Sequence, residues 1–211
     1  MMKIDEQVRL CEDLVVSMAK QVRQMMHQAM EALFENQKDK ALFVIEHDAY
    51  INNFELEINE QAMQVLSLLQ PVASDLRRVV VTIKIANDLE RIGDYAKNIA
   101  RYVIKNQTFP EAFKPDAQEI LKAFFSMFDK MLEVVSESNV KKAYEVADLD
   151  ETMDALFKQL ISKVDASYND KIPLTFATVA LLRNIERSGD HTKNICEHVI
   201  YRAKAQYVDF G

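Results

Sequence analysis

The 211-residue chain carries one pattern twice. Val44, Asp48, Ile51, Phe54 and Ile58 recur 102 positions on as Val146, Asp150, Met153, Leu156 and Leu160. Glu90, Arg91, Gly93, Asp94, Lys97, Asn98, Ile99 and Val103 recur 96 positions on as Glu186, Arg187, Gly189, Asp190, Lys193, Asn194, Ile195 and Val199. The change of offset falls in one place. Pro71 precedes Glu90 by nineteen residues, and Pro173 precedes Glu186 by thirteen. A repeat of this kind predicts two copies of one supersecondary unit.

Apolar spacing identifies the unit. Ile4, Val8, Cys11, Val15, Met18, Val22, Met25 and Ala29 step by four and three, the seam of one long helix. Asn36, Gln37, Lys38 and Asp39 break it. Val44, Ile51, Phe54, Ile58, Val65 and Leu69 predict a second helix, and Pro71 opens a third that runs to about Lys105. Ala117, Leu121, Phe124, Phe128, Met131 and Val135 predict a fourth. Ser136, Glu137, Ser138 and Asn139 form a break with capping residues. Val146, Leu149, Met153, Leu156, Leu160 and Val164 make a fifth, and Pro173 opens a sixth that runs to about Lys204. The first helices of the two halves give no alignment. The expected fold is all-α: two tandem three-helix bundles of antiparallel neighbours, either separate or sharing one elongated core. The expected boundaries are 1–106 for the first unit, 107–116 for a linker holding Pro110 and Pro115, and 117–211 for the second unit. Three glycines and four prolines are too few turn residues for a sheet protein of this length.

The formal net charge of −7 argues against a nucleic-acid backbone as partner and suits cations. No stretch reaches the ~18 apolar residues of a membrane span, so membrane contact is expected to be peripheral or through a protein partner. The early acidic residues Asp5, Glu6, Glu12 and Asp13 do not read as a secretory signal. Cys11 and Cys196 give neither a disulfide framework nor zinc spacing, and are expected as small buried hydrophobes in a reducing compartment, the cytoplasm.

The candidate site lies in Asp88-Leu-Glu-Arg-Ile-Gly-Asp94. Glu90 and Asp94, four apart, project from one face of the third helix, and Glu186 and Asp190 repeat this on the sixth. At about 100° per residue, Asn87, Asn98 and Arg101 share that face, while Ile85, Leu89, Ile92, Ala96, Ile99 and Val103 lie opposite. The wheel therefore predicts a surface cluster and not a bundle-core site. Carboxylate pairs at this spacing are common on solvated faces of acidic helices. Here the pair recurs, and each time a glycine stands between its members. Mid-helix glycine costs about 1 kcal/mol against alanine, so Gly93 and Gly189 imply close approach of a neighbouring helix or of a bound group. Asp48, Asp150 and Asp154 flank the apolar stripes of the second and fifth helices, with Asn52 in the place of Asp154. Carboxylates from two helices, without His or Cys, favour oxygen-loving or borderline metal ions. Arg91 and Arg187 read as charge balance for an acidic site, or as contacts to an anion or a partner. No Glu has a His three residues on, so di-iron oxidase chemistry is not expected. His191 and His198, seven apart, read as a partly exposed pair. Phosphate cradles and nucleophile elbows are absent, and no catalytic residue is assigned.

At these residues the sequence resembles the PhoU family of phosphate-uptake regulators. The resemblance rests on Pro71-Val-Ala-Ser-Asp-Leu-Arg-Arg78, Ile85-Ala-Asn-Asp-Leu-Glu-Arg-Ile-Gly-Asp94, and Asn184-Ile-Glu-Arg-Ser-Gly-Asp-His191 with Glu197-His-Val-Ile-Tyr201. It covers nearly the whole chain. It implies a PhoU-like or spectrin-like six-helix architecture and multinuclear metal clusters, with Glu90, Asp94, Glu186, Asp190, Asp48, Asp150 and Asp154 as ligands. Iron or zinc lead, with magnesium or manganese as alternatives. Asn52 departs from the pattern and implies a weaker first cluster. Ser188 and Thr192, in the places of Ile92 and Ala96, imply that the two sites differ.

The implied role is restraint of phosphate uptake and repression of phosphate-starvation signalling. The implied partners are the ATPase subunit of a phosphate ABC transporter, a phosphate-sensing histidine kinase and a second copy of the chain in a homodimer. Two other readings stand beside it: a carboxylate-bridged metalloenzyme (hydrolase or oxidase), and a metal-free helical adaptor.

Overall fold

Among the described residues, six long helices follow from the seams. The computed structural model describes residues 4–105, 108–166 and 172–211, with side chains described for all of these except 172–176. The helices are α1 (Ile4–Glu35), α2 (Lys38–Leu69), α3 (Ala73–Ile104), α4 (Lys114–Glu137), α5 (Val140–Ala166) and α6 (Ile172–Lys204), with a single 3₁₀ turn (Glu111–Phe113) before α4. Among the described residues there is no strand, and no helix is long and apolar enough to cross a membrane. The expected end of the first unit at 106 and the start of the linker at 107 lie outside the described residues.

The breaks are tighter than expected. Only Asn36 and Gln37 separate α1 from α2, with Asn36 in the left-handed region at φ 52°. Ser138 takes the same conformation after α4. Asn139 then caps α5, its side-chain oxygen accepting from the Lys142 N–H at 3.2 Å. Helix α4 starts at Lys114, so Pro115 and Asp116 lie in its first turn, where proline's missing N–H is harmless.

The halves share one core. Buried side chains of all six helices, from Val15 and Met25 through Ile51, Leu89 and Ile92 to Phe124, Phe128, Leu160 and Ile195, form one contiguous cluster. A smaller one, Val8, Cys11, Ala62, Val65 and Val79, closes the far end of α1. The main joint between halves is α3 against α6, so each motif helix is central to the molecule. Both cysteines are buried and free. Burial pushes the Cys11 thiol up to about 11 and Cys196 higher still, which leaves both inert as thiolates.

Candidate functional site

Each motif glycine lets a motif helix settle on its neighbour. A Cβ on Gly93 would stand 3.1 Å from Cγ2 of Ile51 on α2, and one on Gly189 would overlap the Met153 methyl on α5. Ile51 and Met153 are repeat equivalents, so the same packing pair is built twice. Of the two readings of these glycines, the neighbouring helix is the one observed. Close approach creates two grooves, α2 against α3 and α5 against α6, and the carboxylates line them.

In the first groove Asp48 of α2 is 10% exposed at its side chain, and Lys97 of α3 donates from Nζ to Asp48 Oδ2 and to Asp94 Oδ1, both at 2.7 Å. Glu90 and Asp94 are 17% and 29% exposed. The wheel's surface cluster is therefore corrected to a half-buried groove. The wheel assumed one buried face, but α3 packs on α1, α2 and α6 at once. Burial and the neighbouring carboxylates of Asp94 and Glu55 raise the Glu90 carboxyl, with Arg91 opposing. Arg91 is half exposed and stands 3.7 Å from Glu90 and 3.8 Å from Asp94, a loose surface pair. Asn52 is exposed, and its amide reaches Asp48 Oδ2 only at 3.4 Å.

The second groove holds more uncompensated charge. Lys193 Nζ lies 2.7 Å from Asp150 Oδ2 and also donates to the Gly211 carbonyl oxygen at 2.6 Å. Asp150 is 5% exposed at its side chain, and its Oδ1 is buried without a hydrogen-bond partner. A buried carboxylate oxygen with no donor is costly, and it marks a place where a cation is wanted. Burial and the charges of Asp190 and Asp154 raise Glu186, while burial and the charges of Asp150 and Asp154 raise Asp190. Arg187 is exposed on the outer face. Ser188 and Thr192, expected to make this site different, face the core and bond back to the Asn184 and Ser188 carbonyls, both at 2.7 Å.

Among the described residues no three Asp, Glu, His or Cys side chains converge as a metal cage. In the first groove the Lys97 ammonium stands between two of the candidate ligands. The donors fit a hard or borderline cation by type, and the orphaned Asp150 oxygen favours the second groove.

Lys97 and Lys193 are the residues that the motif reading passed over. Their doubling at the 96-residue offset was the available signal. Asp88 was missed for the opposite reason, because its repeat equivalent is Asn184 and the duplication hides it. Asp88 faces α6, where His191 Nδ1 lies 2.8 Å from Oδ1 and His198 Nε2 lies 3.2 Å from Oδ2. Burial pushes the Asp88 carboxyl up, but the two histidine contacts outweigh it and hold it below its ordinary value. The histidine pair is thus half-buried and joins the two halves.

The comparisons with known proteins agree with the fold. A family model described as the PhoU domain matches residues 15–103 and 118–199. A phosphate-specific transport system accessory protein PhoU homolog from Clostridium acetobutylicum is 31% identical over 208 residues, covering 93% of this chain and 92% of that protein. The phosphate-specific transport system accessory protein PhoU of Escherichia coli is 29% identical over 198 residues, with coverages of 91% and 81%. Crystal structures of PhoU from Pseudomonas aeruginosa and of the phosphate transport system regulatory protein PhoU from Streptococcus pneumoniae superpose with TM-scores of 0.90 and 0.89. Their identities are 28% and 27%; they cover 97% and 98% of this chain and 100% of their own.

Proposed function

The chain belongs to the PhoU family, and on that footing we propose that it is a metal-binding regulator of phosphate transport. The family is one of regulatory accessory proteins and not of enzymes, which sets the metallohydrolase and oxidase readings aside. The relatives' names support a role beside a phosphate-specific transport system. The finer reading is that the protein restrains a phosphate ABC transporter through its ATPase subunit and represses phosphate-starvation signalling through a sensor histidine kinase. It does so from the cytoplasmic side, as a homodimer.

The observation that carries the metal part is the buried, unpartnered Asp150 Oδ1, in a groove where the charges of Asp150, Asp154, Glu186 and Asp190 act on one another. Asp150, Asp154, Glu186 and Asp190 would hold the ion, iron or zinc before magnesium or manganese. Bound there, a cation supplies the positive charge that these carboxylates lack. Asp48, Glu90 and Asp94 would form the weaker site, since Lys97 already neutralises two of them.

The test joins Glu90→Ala with Glu186→Ala. The double variant should lose bound metal, and phosphate-starvation genes should then switch on in cells kept in rich phosphate. Normal repression by a metal-free double variant would contradict the metal-dependent reading.

A further inference from the structure

We infer that the outer face of α2 docks a basic amphipathic helix of another protein. Leu42, Ala49, Leu56 and Met63 are all exposed and lie seven residues apart. That spacing draws a nearly straight line along a helix, here about 32 Å long. Leu56 is 56% and Met63 68% exposed, and Tyr50 and Leu68 extend the apolar surface. Near the Leu42 end, Phe43, His47 and Tyr50 stack in a ladder with ring centroids 5.5 and 5.0 Å apart. Below Met63 the surface dips into a shallow depression of about 570 Å³ lined by Glu60, Met63, Gln64, Leu66 and Ser67.

The second half is an internal control. The equivalents of Leu42, Ala49, Leu56 and Met63, 102 positions on, are Tyr144, Glu151, Lys158 and Asp165. All four are exposed on the outer face of α5, and three are charged. The fold accepts charge at this face, so the apolar seam of α2 is not there for the fold. An exposed apolar stripe of this extent marks an interaction site.

Charge selects the occupant. From residue 41 to residue 76 there is no Lys or Arg. The carboxylates flanking the seam are Glu46, Glu57 and Glu60, all exposed. Two copies meeting through this face would set these glutamates against one another, and an anionic lipid surface would be repelled. A helix with an apolar seam flanked by Lys and Arg meets both features at once, the helix-on-helix mode of recognition. The inference is independent of whether the carboxylate grooves hold metal.

The test uses a synthetic 21-residue helical peptide with a leucine seam flanked by lysines, and its glutamate-flanked counterpart. Leu56→Lys with Met63→Asp installs the residues of α5 and leaves the net charge at −7. The fold should be unchanged by circular dichroism and melting. The lysine peptide should bind the wild type, with amide shifts confined to α2 between Leu42 and Leu68. The double variant should bind it at least tenfold more weakly, and the glutamate peptide should not bind. A loss smaller than tenfold, or a footprint on other helices, overturns the proposal. So does a wild-type dimer that the double variant dissolves, which would assign the face to a second copy. Binding of phosphatidylglycerol vesicles that is lost in the double variant would assign it to a membrane and overturn the proposal equally.

Discussion

Gly93 and Gly189 do the same work against different neighbours, and their substitutions separate accordingly. Ile51 is β-branched and stiff, so Gly93→Val should destabilise by about 2 kcal/mol or more in chemical denaturation. The Met153 methyl is the end of a flexible chain. Gly189→Ala should therefore fall within about 1 kcal/mol of wild type, because the helix gains propensity while Met153 moves aside. Lys97 gives a sharper contrast. Lys97→Met leaves the buried Asp48 carboxylate without its cation, at a cost of about 3 kcal/mol. Added zinc should then raise the melting temperature of Lys97→Met more than that of wild type, since ligand linkage acts only where the ion binds. Equal shifts would deny Lys97 the role of a built-in cation. At this scale the sequence was informative where the repeat doubled a residue, as for Glu90 and Asp94. It was uninformative about Lys97's partners, since a lysine three residues past an aspartate is ordinary on any helix. Ser188 and Thr192 bond back to their own helix in the core, so a difference between the two grooves has to come from other residues.

Helices α3 and α6 are each two elements in one, with carboxylates turned to a groove and another stripe turned to each other. Asp88 carries the second role, bonded to both His191 and His198 across the joint. Asp88→Asn should cost about 2 kcal/mol near neutrality and should speed amide exchange in α3 and α6. The sign of its pH dependence follows from the folded carboxyl lying below its ordinary 3.8. The clamp's stabilisation is complete above that value and is lost as pH falls through the folded-state pKa. The stability gap between wild type and Asp88→Asn should accordingly close in acid. Seam periodicity fixed the number and order of helices because apolar positions at fours and threes admit no other period. It could not say that α3 is buried on three sides. Which helices surround α3 is decided by long-range packing, and the single-face wheel failed for that reason.

The whole molecule is two repeats with one core, so the halves should not melt apart. Phe124 lies on α4 in the shared cluster, and Phe124→Ala should cost about 3–5 kcal/mol while lowering the stability of α1 to α3 as well. Calorimetry should give a single transition for wild type and variant, and two resolved transitions would refute the shared core. The duplication announced two units, but it could not choose between separate bundles and a fused one, because both bury the same seams. At this scale the central claim is that two unequal carboxylate grooves take up metal, the second more avidly. Metal content by elemental analysis, on protein purified without chelator, tests it most directly. Wild type should be compared with Asp150→Asn/Asp190→Asn and with Asp48→Asn/Asp94→Asn. The account predicts metal in wild type, most of it lost with the second-half pair and less with the first-half pair. Metal-free wild type across growth conditions, with no uptake of added zinc or iron, would contradict it.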